Sequence, residues 1–190
     1  MTRKERAILT KTNIYNEAMT LIKEKGFENT GIKEICEKVG VTTGAFYHYY
    51  NSKIDLLLEI HNEIDKRCSK RLALTELEDS EKKIISIFCE FINQIELLKV
   101  ETVKQLYSAQ LFSTNLSLNS EKRPFFSIVE KTFEEAFKER VFVQFTPKEL
   151  TNRCIIFTRG IIYHWCLSSG NFPLLETAKP MLEHYLKSFK

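Results

Sequence analysis

A chain of 190 residues that is 43% apolar and 12% aromatic has material for one sizeable core or two small ones, which excludes a disordered or fibrous protein. Its formal charge is only +3, but residues 1–53 hold nine Lys and Arg against six Glu, whereas residues 54–190 hold nineteen basic against nineteen acidic side chains. The whole excess lies in the first quarter of the chain, where an anionic partner is steered.

No apolar run approaches the length of a membrane helix, and nothing at the start reads as a secretory leader, so a cytoplasmic protein without a membrane partner is expected. Cys36, Cys68, Cys89, Cys154 and Cys166 form no CxxC pair and sit inside helical patterns. They read as small buried hydrophobes, with a thiol redox sensor as the alternative.

Only six Gly and four Pro interrupt apolar residues that recur at spacings of three and four, which predicts an all-α protein of about nine helices. The first runs from about Lys4 to Lys25, turns Ile14 or Tyr15, Ala18 and Ile22 inward, and stops at Gly26. Ile32, Ile35, Cys36 and Val39 make the stripe of a short second helix with Thr30 as its expected N-cap. After a turn at Gly40, Thr42 caps a third helix to about Tyr49, with Phe46 and Tyr50 inward. A long fourth helix, about 52–74, starts at Asn51 or Ser52 and carries Ile54, Leu57, Leu58, Ile64 and Leu72.

Further on, a connection is expected over Thr75–Lys83, then helices over Ile84–Val100, Glu101–Phe112, Pro124–Arg140 and Lys148–Leu167. Phe112–Arg123 and Phe145–Pro147 read as loops. The last helix lies between Pro173 and Phe189, with Pro180 kinking it or marking its start. The expected division is 1–53 and 54–190, joined through the fourth helix without a flexible linker.

The second and third helices, joined by a tight Gly-containing turn, have the spacing of a helix-turn-helix. Gly44 costs about 1 kcal/mol in a helix relative to alanine, and Ala45 adds almost no side chain, so the start of the third helix is smooth enough for close approach by another surface. Tyr47, His48, Tyr49 and Tyr50 follow in succession, so at least two rings face away from the core. Their hydroxyl and imidazole groups can hydrogen-bond phosphate oxygens, and Lys53 adds a cation beside a positive helix end.

The segment IYNEAMTLIKEKGFENTGIKEICEKVGVTTGAFYHYYNSKIDLL resembles the DNA-binding domain of the TetR/AcrR-type family of bacterial transcriptional regulators. Ala18, Gly26-Phe27, Thr30, Ile35, Gly40-Val41, Gly44, Phe46-Tyr47, Tyr50 and Lys53 carry the likeness without gaps. It implies a homodimer whose third helices enter successive major grooves of a near-palindromic double-stranded operator. By position, Thr42, Thr43, Gly44, Ala45 and His48 would face base edges, while Thr30, Tyr47, Tyr49 and Lys53 would hold phosphates. Thr43 stands where the family often has Lys or Arg, and Gly31 where it often has a hydroxyl residue.

Beyond Glu81 the likeness is looser, and only residues 158–167 resemble the family's penultimate helix. That likeness implies a four-helix dimer interface, for which Ile155, Ile162, Trp165, Cys166, Leu182 and Tyr185 are the expected residues. It also implies a small, largely apolar inducer in the C-terminal bundle, with Phe88, Phe91, Gln105, Tyr107, Phe126, Phe133 and Tyr163 as candidate contacts. No cofactor or metal is expected. His48, His61, His164 and His184 are scattered, and no Gly-rich phosphate loop or nucleophile with its base occurs, which argues against an enzyme. The reading is a ligand-responsive repressor. A ligand- or redox-sensing relative with weak DNA binding, or an activator, is the alternative.

Overall fold

A computed structural model describes residues 2–73, 79–112 and 123–190, and among these every regular element is a helix. In chain order they are α1 (Arg3–Lys25), α2 (Ile32–Val39), α3 (Thr43–Tyr49), α4 (Lys53–Ala73), α5 (Ser80–Glu96), α6 (Val100–Phe112), α7 (Pro124–Lys138), α8 (Pro147–Leu167) and α9 (Leu174–Lys187). None of the described helices is long and apolar enough to cross a membrane.

Packing divides the chain into two compact units, residues 1–60 with 101–113 and residues 61–100 with 114–190. The division falls inside α4, after Ile60, and assigns most of α6 to the first unit.

In the first unit Ile14, Ala18 and Leu21 of α1 meet Ile35 and Cys36 of α2, Phe46 of α3, Tyr50 and Leu56 in one buried cluster. Glycines shape the connections for a steric reason. Gly26 at φ +87° ends α1, its N–H donating to the Ile22 carbonyl at 2.9 Å, and Gly40 at φ +75° provides the left-handed turn between α2 and α3. Thr42 caps α3 as expected, its Oγ1 accepting from the Ala45 N–H at 3.2 Å.

Thr30 does not cap α2. The N-cap is Gly31, which has no side chain to offer, and the Thr30 hydroxyl donates backward to the Gly26 carbonyl at 2.9 Å. The hydroxyl closes the loop after α1 instead of opening the next helix.

The second unit packs α5 against α7, α8 and α9, α7 against α8, and α8 against α9. Phe88 and Phe91 of α5 close on Phe125 of α7, with ring centroids 5.6 and 4.7 Å apart. Both ends of α5 differ from expectation. Asp79 caps α5 by accepting from Glu81 and Lys82, so this helix starts four residues ahead of Ile84. It also ends at Glu96, because Lys99 takes φ +63° and α6 begins at Val100. Residues 75–78 of the first expected connection and 113–122 of the second lie outside the described residues, while 80–83 belong to α5.

Pro180 lies in the interior of α9 and does not start it. The start is set by Glu96 of α5, whose Oε1 accepts from Leu174 N–H at 2.6 Å and whose Oε2 accepts from Leu175 N–H at 3.3 Å. A carboxylate at a helix N-terminus satisfies otherwise unpaired donors and complements the dipole.

Candidate nucleic-acid interface

Phe46 anchors α3. It is fully buried, its ring meets Tyr47 edge-on at 5.5 Å, and it lies 5.5 Å from Tyr50. With that side fixed inward, Thr42, Thr43, Gly44, Tyr47 and His48 are exposed, and Ala45 and Tyr49 are half-buried. Tyr49 also packs against the core cluster and carries His48 edge-on at 5.0 Å.

Gly44 has no internal justification. A Cβ built there meets only Thr42 Oγ1, at an ordinary 3.7 Å. A helical glycine that gives up about 1 kcal/mol without easing any internal contact leaves its bare backbone to the outside. Thr42 to Ala45, Tyr47 and His48 therefore form one small, smooth surface with two ring donors at its end.

Thr30 and Lys53 are turned to the protein. Thr30 is 1% exposed. Lys53 Nζ donates to the Phe27 carbonyl at 2.7 Å and to the Thr30 carbonyl at 2.9 Å, and lies 4.2 Å from the centroid of the Phe27 ring. Partial burial pulls its ammonium pKa down, with Glu28 opposing. The cation expected at a phosphate thus ties the start of α4 to the loop after α1.

The remaining lysines in the body of this unit are also engaged. Lys25 pairs with Glu34, Lys38 with Glu17 at 3.5 Å, Lys33 with Glu37 at 3.7 Å and Lys11 with Glu59 at 2.9 Å. The Lys25 ammonium is the main reason that the Glu34 carboxyl is held below its usual range.

Of the candidate inducer contacts, Phe88, Phe91, Phe126 and Phe133 are core residues of the second unit, whereas Tyr163 is 54% exposed. Gln105 and Tyr107 are half-buried on α6 and belong to the first unit. The polar interior of the second unit was not anticipated. Asp65, 1% exposed, accepts from Arg123 Nη2 at 2.6 Å and from Nε at 3.2 Å. One turn earlier, buried His61 has its imidazole pKa pushed down to about 3, first by burial and then by the charges of Arg123 and Arg159. The available signal was their position: His61 and Asp65 interrupt the apolar line Leu57, Ile60, Ile64, Cys68 on α4.

Cys36, Cys68, Cys89 and Cys154 carry free thiols. Burial raises the thiols of Cys36 and Cys89 and pushes those of Cys68 and Cys154 up to about 12, which disfavours the thiolate that oxidants attack. Among the described residues no three His, Cys, Asp or Glu side chains gather as a metal site.

Of the residues expected at a dimer interface, Ile155, Ile162, Trp165, Cys166 and Leu182 are buried within the protomer, and Tyr185 is half-buried. Trp165 donates its indole N–H to the Phe172 carbonyl at 3.0 Å. The exposed apolar residues are Ile156, Tyr163 and Leu167 of α8 and Met181 of α9. Phe157, Pro180, Met181, His184, Tyr185 and Ser188 line an open groove of about 470 Å³, with the Phe157 and Tyr185 rings stacked at 4.2 Å.

Residues 14–60 match the family described as bacterial regulatory proteins, tetR family. The chain is similar to the HTH-type transcriptional regulator AcrR of Shigella flexneri, at 25% identity over 96% of this chain and 92% of that one. It is 24% identical to the HTH-type transcriptional repressor KstR2 of Rhodococcus jostii over 90% of this chain and 87% of that one. A TetR transcription regulator from Haloarcula marismortui shares the fold, with a TM-score of 0.70 and 18% identity over 95% of this chain and 97% of that one.

Proposed function

We infer that this chain is a DNA-binding transcription regulator of the TetR family, a homodimeric repressor that a small, largely apolar inducer releases from a near-palindromic operator. The observation that carries the reading is the bare backbone of Gly44 on an exposed helix, flanked by Thr43 and Ala45 and serving no packing purpose of its own. Thr42, Thr43 and His48 read base edges, and the threonine methyls and Ala45 meet thymine methyls. Tyr47 and Tyr49 hold phosphates. Thr30 and Lys53 support them by fixing the loop between α1 and α2.

Support for the dimer comes from Ile156, Gly160, Tyr163 and Leu167, an exposed stripe at i, i+4, i+7 and i+11 on α8. Gly160 has nothing within 4 Å of a built Cβ, so a partner backbone can approach closely. For release, α4 carries Lys53 in its first turn and His61 with Asp65 further on. An inducer that disturbs the Asp65–Arg123 pair acts on the helix whose start holds the reading head together. Repression agrees with the name borne by the Rhodococcus jostii relative.

The test is a band shift with the DNA upstream of the chain's own gene, repeated against candidate inducers that raise the thermal midpoint. A salt-sensitive shift, abolished by such a compound, is expected. Absence of any salt-sensitive shift overturns the repressor reading.

A further inference from the structure

The first twelve residues hold four basic side chains against one acidic, and the other 178 hold twenty-four against twenty-four. The net charge of the protein therefore resides in the opening turns of α1. Those turns bury no side chain fully: residues 3–13 are exposed or half-exposed, and the first buried side chain of α1 is Ile14.

A helical segment of this length with so little tertiary packing is marginal in water. This one is the leading end of an anchored 23-residue helix, closed by a capping box in which Thr2 Oγ1 accepts from Glu5 N–H and the Glu5 carboxylate accepts from Thr2 N–H. Lys11, the last cation along it, pairs with Glu59 and lies 5.3 Å from the centroid of the Tyr50 ring, at the C-terminal end of α3. At about 1.5 Å per residue, Arg3 stands ~12 Å further out along the helix axis.

The reading helix itself, Thr43–Tyr49, contains no Lys or Arg. In the body of the first unit Lys11, Lys25, Lys33 and Lys38 are held by carboxylates, Lys53 by carbonyls, and Lys23 also has a partner. Among the described residues Arg3, Lys4 and Arg6 have no carboxylate within ion-pair distance. Binding to duplex DNA draws much of its affinity from cations that displace counterions from phosphates. This surface offers few others.

We propose that Arg3, Lys4 and Arg6 form a helical arm that binds DNA phosphates beside the stretch read by α3, and that most of the salt dependence of binding originates there. The proposal rests on the DNA-reading function assigned to α3. Two guanidinium forks and an ammonium on a preformed rod suit phosphate oxygens. The exposed Ile8 and Leu9 on the same turns add apolar surface against the sugar edge.

The test compares the intact chain with R3Q/K4Q/R6Q by fluorescence anisotropy on a mixed-sequence duplex and on the upstream fragment, from about 50 to 200 mM salt. The slope of log affinity against log salt is expected to fall by roughly 0.9 for each phosphate lost, about 2.7 per protomer. The difference between the two proteins should shrink as salt rises, with the thermal midpoint unchanged because these side chains bury nothing. The R3K/R6K variant should keep the slope. An unchanged slope for R3Q/K4Q/R6Q, while the intact chain binds in a salt-sensitive way, overturns the arm and leaves the α3 reading standing. If the intact chain shows no salt-sensitive binding to either duplex, both fall.

Discussion

Arg123 grips Asp65 with two hydrogen bonds, Nη2 to Oδ1 at 2.6 Å and Nε to Oδ2 at 3.2 Å, although both side chains are withdrawn from water. Removing Arg123 takes the guanidinium away from a carboxylate that is 1% exposed. Arg123→Met or Asp65→Leu alone should cost about 3 to 5 kcal/mol of stability in denaturant titrations, whereas the double variant should recover most of it. A double variant as unstable as the worse single would show that the two do not act as a pair.

Buried His61 makes stability depend on pH with a definite sign. Its folded pKa of about 3 lies below the unfolded value near 6.5, so the native state resists taking up the proton that the unfolded chain accepts. Its contribution is complete above pH 6.5 and is lost as pH falls towards 3. Between pH 6.5 and 5, where most carboxylates remain ionised, the intact protein should lose stability at up to about 1.4 kcal/mol per pH unit. His61→Leu should flatten that part of the curve. Equal slopes in both proteins would exclude His61 as the cause.

Gly44→Ala separates folding from reading. The added methyl meets nothing closer than Thr42 Oγ1 at 3.7 Å, so helix propensity should stabilise the protein by up to about 1 kcal/mol. Operator affinity should fall in the same variant, because the methyl occupies space that the DNA needs. A thermal midpoint that rises while binding stays constant would remove Gly44 from the interface.

Lys53→Met keeps the stem over Phe27 and deletes the ammonium held by two carbonyls. The expected result is a stability loss of about 1.5 to 3 kcal/mol, as for hydrogen bonds to a charged group, with an unchanged salt slope in DNA binding. A slope reduced by roughly 0.9 would mean that Lys53 leaves its loop for a phosphate in the complex.

The surface stripe and the buried side of α8 should respond differently to charge. Tyr163→Glu with Leu167→Glu is expected to give a folded monomer in sedimentation, while Ile162→Glu should unfold the chain, since Ile162 is fully buried within the protomer. An unchanged dimer mass for the surface variant contradicts the stripe as the interface.

The first three helices and their turns were legible because their signals are local. Gly26, Gly40 and Thr42 each act within a few residues, and the stripe Ile32, Ile35, Cys36 and Val39 needs only helical periodicity. What escaped depends on distant partners. The start of α9 is set by Glu96, 78 residues away, and Lys53 is drawn inward by carbonyls of Phe27 and Thr30. Helix α8 is apolar nearly all round, so spacing alone does not say whether Ile162 or Tyr163 faces outward. The basic excess counted over residues 1–53 likewise concealed that Lys25, Lys33 and Lys38 cancel against Glu34, Glu37 and Glu17, leaving the surplus on the opening turns.

Because Glu96 supplies the acceptors for the first turn of α9, that turn is conditional on α5 being in place. The hairpin of α8 and α9 is consequently no portable module. Grafted onto another bundle without a carboxylate at the matching height, it would fray at Leu174 and drop Ala178 and Leu182 out of register with their core. Any chimera built to exchange the C-terminal helices of this protein must carry the end of α5 along with them.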